Sequence, residues 1–111
     1  MVTDTEDSLL ASDHGLRLTS EQDALDVLSS GLQGCVFELS DLIPEYFDLA
    51  NGIAGATFQK FINYGFRVAF VIPEPESCPI RLQELIKDHA RHTVIRFFKD
   101  VESARLWLRS E

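Results

Sequence analysis

At 111 residues the chain fits one domain, and its 45% hydrophobic content suffices for a packed core and is too high for a disordered segment. Eighteen acidic residues against ten basic ones leave a formal net charge of −8. That balance argues against nucleic acid and against anionic membrane surfaces, whose phosphates are bound through Lys and Arg, and it makes basic protein partners or divalent cations electrostatically easier.

In chain order, residues 1–7 are polar and acidic and are expected to form a disordered tail, with one domain over 8–111. The opening MVTDTEDSLL is acidic where a secretory signal is basic, and no apolar run approaches the roughly 18 residues of a bilayer span, so a cytoplasmic location is expected. Residues 8–11 and 15–18 read as the two strands of a β-hairpin turning at Asp13-His14-Gly15. Ser20-Glu21-Gln22-Asp23 resembles a capping box with Asp at its last place. It opens a helix that carries Ala24, Val27, Leu28 and Leu32 inward and ends near Gly31 or Gly34.

Residues 35–39 form the next strand and 40–50 an acidic loop. Over 52–64, helical spacing gathers Ala54, Phe58, Phe61 and Ile62 on one side, with Ile53 and Tyr64 widening the arc and Gln59, Lys60 and Asn63 opposite. So wide an apolar arc belongs to a helix pressed onto a sheet. Gly65 stands where a helix C-terminus takes a left-handed residue. The run FRVAFVI over 66–72 is nearly unbroken in its apolarity, as a central parallel strand covered on both faces would be, and Pro73 ends it.

A proline-bearing loop follows, and Pro79 suits the start of a helix with Leu82, Leu85, Ile86 and His89 along one side. The strand over 93–98 mixes polarities, which suggests a place near a sheet edge. Asp100 caps the last helix, where Val101, Ala104, Arg105 and Leu108 recur at spacings of three and four with Trp107 flanking them. The order ββαβαβαβα predicts an α/β fold: a small, mainly parallel mixed sheet of four to five strands with about four helices packed on it.

The chemistry concentrates before the second helix. Asp41, Glu45 and Asp48 read either as carboxylates that favour a helix N-terminus, with Asn51 as a further cap, or as a docking patch or cation site. Tyr46 and Phe47, in the same irregular stretch, are either core plugs or aromatic anchors for a partner or a second subunit. Gly52-Ile53-Ala54-Gly55 lacks the Gly-Lys-Ser/Thr of a phosphate loop and reads as close packing. His89 and His92 have no third metal ligand in sequence reach and read as half-buried or capping groups. Cys35 and Cys78 have neither CxxC nor zinc spacing, which suits reduced thiols, and no Gly-x-Ser-x-Gly elbow is present.

The run CVFELSDLIPEYFDLANGIAGATFQKFINYGFRVAFVI, with the ending IRFFKDVESARLWL, is similar to the STAS domain of bacterial anti-sigma-factor antagonists. Phe47-Asp48 and Gly52 stand where that family carries its loop motif. There, a Ser or Thr directly after the loop Asp is phosphorylated; here Leu49 follows Asp48, and the loop is one residue longer before Gly52. Closer still, PEYFDLANGIAGATFQKFINY and SEQDALDVL resemble a bacterial group described as domain of unknown function, family 4180, which brings no activity with it. The expectation is a non-enzymatic regulatory or protein-interaction module, STAS-like in scaffold, without catalytic residues, metal or cofactor. Its partner surface would be Asp41, Glu45, Tyr46, Phe47, Asp48, Asn51 and Gly52. The partner would be a protein, with a basic one favoured by charge, or a second copy forming a homodimer; nucleic acid and membrane are not expected. The alternative is a small ligand-binding protein or enzyme using Asp41, Glu45 and Asp48, with His14 nearby.

Overall fold

Three parallel strands carry the architecture: β1 (Gly34–Glu38), β2 (Arg67–Val71) and β3 (Ile95–Phe98), in the order β1-β2-β3. The computed structural model describes residues 9–110; the predicted tail over 1–7 and the first residue of the predicted hairpin, Ser8, lie outside them. Four α-helices precede, connect or follow the strands: α1 (Asp23–Leu28) before β1, α2 (Ile53–Tyr64) and α3 (Ile80–Asp88) between strands, and α4 (Val101–Arg109) after β3. The central place of β2 agrees with its unbroken apolar run. Val36 lies beside Ala69 and Phe37 beside Phe70 on one flank, with Phe70 beside Phe97 on the other.

Alternation along the strands divides the core into two layers, because successive side chains leave opposite faces of a sheet. Cys35, Phe37, Val68, Phe70 and Ile95 face Ala24 and Val27 of α1 and Ala54, Phe58 and Phe61 of α2. Val36, Ala69 and Val71 face Ala104 of α4, with Val101, Trp107 and Leu108 packed around them. Helices therefore cover both faces, as parallel sheets require. Small residues set the approach of α4: a Cβ on Gly34 would meet the Leu108 side chain at 3.0 Å and the Arg67 carbonyl oxygen at 3.2 Å.

Several expectations need correction. The sheet has three strands among the described residues, against the four to five predicted. The stretch read as a hairpin contains instead a 3-10 turn over Ala11–His14, and its flanks pair elsewhere: Leu10 bridges Val36 and Leu18 bridges Leu42, both in parallel. Helix α1 starts at Asp23, whose carboxylate accepts hydrogen bonds from the Thr19 amide (2.7 Å) and hydroxyl (2.5 Å), so its main partner is Thr19, one residue before the start of the expected box. On α2 the inward position goes to Thr57, fully buried, while Ile62 and Tyr64 are 38% and 73% exposed. Gly65 takes the expected left-handed conformation (φ 64°), Pro79 directly precedes α3, and the Asp100 carboxylate accepts from the Ser103 amide at 2.7 Å.

Candidate functional site

The acidic loop leaves the C-terminal end of β1, the end of a parallel sheet at which connecting loops most often carry ligands. Its first carboxylate never reaches the surface. Asp41 closes the 3-10 turn Leu39–Asp41 and accepts the Glu38 amide at 2.9 Å, while the Glu38 carboxylate accepts the Asp41 amide in return. Only 5% of Asp41 is exposed. Its carbonyl accepts the Leu18 amide at 2.9 Å, and the Ile43 amide returns to the Leu18 carbonyl at 3.0 Å, tying the loop to the N-terminal stretch. Asp41 is thus a structural cap, and the expectation that it belongs to a partner surface is corrected.

Tyr46 is corrected likewise. It is fully buried, and its ring packs against Phe47, Phe58 and Phe70. Its hydroxyl is hydrogen-bonded to the Thr57 hydroxyl, which in turn donates to the Ala54 carbonyl at 3.1 Å. Because the Thr57 proton is engaged there, Tyr46 is the donor of the shared bond. Burial pushes the Tyr46 phenol well above its ordinary range. Phe47 is half-buried and reaches Phe70 and Phe97 edge-on or tilted. Of the two readings for these aromatics, the core plug holds for Tyr46, and Phe47 sits at the margin.

Glu45, Asp48, Asn51 and Gly52 remain exposed, and the structure brings them together on one short turn. Asp48 precedes the 3-10 turn Leu49–Asn51 and accepts the Ala50 amide at 3.0 Å. Asn51 works in both directions: its amide donates to the Glu45 carbonyl at 2.8 Å, and its oxygen accepts the Ile53 amide at 2.9 Å at the start of α2. Gly52 joins the two turns at φ 74°. The expected caps are therefore present, and they fix the backbone from which the Glu45 and Asp48 carboxylates project. Among the described residues the one ion pair is Lys60 with Glu21, at 3.3 Å.

A cavity of about 530 Å³ lies beside the loop, lined by Arg17, Leu39, Ile43 and Phe47 among others. Neither Glu45 nor Asp48 lines it, and His14, at the end of the turn Ala11–His14, does not either. The histidine pair is local, as expected. His89 donates through Nδ1 to the Leu85 carbonyl at 2.8 Å, and His92 accepts through Nδ1 from the Val94 and Ile95 amides at 3.0 Å each. No group of three His, Cys, Asp or Glu among the described residues is placed to hold a metal ion. Both cysteines are free thiols; burial, and secondarily the Asp41 charge, push Cys35 up to about 12.

Sequence reasoning missed a second cluster at the opposite, N-terminal end of the sheet. Arg67, Arg96, Arg109 and Trp107 surround a groove of about 810 Å³. Arg67 donates to the carbonyls of Trp107 (2.8 Å) and Ser110 (2.6 Å), and its guanidinium lies 4.2 Å from the Trp107 ring centre. The available signal was Arg67 itself, a charge inside an otherwise apolar strand.

A family model described as a domain of unknown function (DUF4180) matches residues 3–108. No curated protein and no solved structure matches the chain. Among the described residues, no helix is long and apolar enough to cross a membrane.

Proposed function

We propose, for a chain that belongs to the DUF4180 family and receives no activity from that membership, a non-enzymatic role as a cytoplasmic regulatory module on a STAS-like scaffold that recognises a basic segment of a protein partner. The recognition surface is the exposed part of the acidic loop: Glu45, Asp48, Asn51 and Gly52, with Phe47 at its margin. One observation carries this reading. The two carboxylates stand on a turn whose backbone is already held by the Asp48 and Asn51 side chains, over a sealed aromatic layer. A preorganised backbone reduces the ordering cost of association, and exposed charges on it contribute to encounter rate and specificity more than to raw affinity. With Leu49 after Asp48, the negative charge is permanent and not added by a kinase.

The test is comparative capture. Glu45→Gln with Asp48→Ser removes both charges while Ser keeps an oxygen that caps the turn. Immobilised wild-type protein should retain basic proteins from native lysate at about 50 mM salt and release them at about 500 mM, as expected for screened surface charges. The double variant, with an unchanged circular dichroism spectrum, should not retain them. Capture of the same proteins by the variant, or release that ignores salt, would overturn the assignment.

A further inference from the structure

The groove at the N-terminal end of the sheet has a charge opposite to that of the molecule. Acidic residues outnumber basic ones by eighteen to ten along the chain. Around the groove, the described lining residues include Arg67, Arg96 and Arg109 and no Asp or Glu. We propose that this groove is a binding site for a small polyanion, recognised through phosphate or carboxylate groups.

Each arginine has a distinct part. Arg67 is the fixed one. Its contacts to the Trp107, Leu108 and Ser110 carbonyls cover the C-terminal end of α4, where the helix dipole would otherwise repel an anion. Arg96 makes a single hydrogen bond, in which Nε donates to the His92 carbonyl at 2.6 Å. Its two terminal nitrogens have no acceptor among the described residues. Arg109, exposed at the end of α4, has none on any nitrogen. Planar guanidinium groups pair with phosphate and carboxylate oxygens in two-point fashion, which favours Arg over Lys at such sites. Thr93 and Gln33 add a hydroxyl and an amide at the rim. A volume of about 810 Å³ suits a small molecule. Trp107, with guanidinium carbons of Arg67 and Arg96 at 4.2 and 5.3 Å from its ring centre, forms a wall of the groove against which both charges rest.

Trp107 is the chain's single tryptophan, so its emission reports on the groove alone. The full chain is titrated separately with sodium pyrophosphate and with citrate, each against sodium chloride of matched ionic strength. A saturable change in emission is expected with at least one of them, and which one assigns the phosphate or the carboxylate class. Arg96→Gln and Arg109→Gln, tested separately, should each weaken the response at least about tenfold. Lys99→Gln, just beyond the far end of β3, should leave it unchanged. Because Arg109 is exposed, its variant keeps the test sound even if Arg96→Gln disturbs the fold. A response no different from sodium chloride, or equal affinity in Arg109→Gln, overturns the proposal.

Discussion

The Tyr46 hydroxyl sits where no water reaches it, and its partner is eleven residues away on a different element. Nothing in PEYFDL distinguishes inward from outward aromatics: the stretch has no period, and proline and carboxylates flank it. What decides the matter is Thr57, a polar residue on the apolar arc of α2, whose inward position supplies the acceptor that lets a tyrosine be buried. The same logic explains Asp41, buried because two backbone and side-chain bonds to Glu38 compensate it locally. Asymmetric costs follow for the hydroxyl pair. Tyr46→Phe removes a donor and leaves Thr57 its bond to the Ala54 carbonyl, so it should cost about 0.5–1.5 kcal/mol. Thr57→Val strands the phenol without an acceptor and should cost about 1–3 kcal/mol. The double variant should be less destabilised than the sum, since two apolar groups of matching shape need no bond. Urea unfolding of the four proteins measures this coupling, and strict additivity would show that the two hydroxyls do not interact.

Elements with a long, strong period were legible. The wide arc of α2, the doubly covered strand β2 and the Asp100 cap each express one physical constraint within a dozen consecutive residues. The N-terminal stretch was not legible, because its pairing is not local. Leu10 and Leu18 each pair with a residue more than twenty positions away, and a single bridge leaves no alternation to read. The link from α3 to β3 shows how a polar side chain can hold such a junction. His92 accepts two consecutive amides with Nδ1, a role open only to the unprotonated ring. Burial, then the neighbouring His89 and Arg96, lower its pKa from 6.5. Protons therefore bind the unfolded chain more readily. The His92 contribution is complete above pH 6.5 and falls as the pH drops from there through the lower folded value. Denaturant midpoints measured from about pH 7.5 to about pH 5 should decline, and His92→Asn, whose amide oxygen also accepts, should flatten the part due to this ring. An equal slope in the variant would place the acid sensitivity elsewhere.

Across the whole molecule, the layers and the charge pull in different directions. Helices on both faces and a doubly covered central strand make the interior cohesive, and composition announced as much. Composition did not announce how the charge is distributed: arginines gather at one end of the sheet, while Glu45 and Asp48 project from the loop beyond the other. Strand polarity marks Arg67 and Arg96 as unusual but carries no information about which helix end they meet. The excess of eight negative charges opposes compaction. With a radius of gyration of 13.2 Å, a charge senses most of the others at about 0.01 M salt, where screening extends roughly 30 Å, and mainly its neighbours at about 0.1 M, where it extends roughly 10 Å. The melting temperature should therefore rise by several degrees over that interval, the effect of about 1 kcal/mol in a domain this size. Glu45→Gln should raise the low-salt melting temperature and lose this advantage as salt increases, because the carboxylate it removes repels the rest of the chain and is paired with no cation among the described residues. Scanning calorimetry across a salt series reads both effects. A melting temperature that falls with salt, or a Glu45→Gln variant less stable than wild type at low salt, would mean that this loop's negative charge supports the fold and does not strain against it.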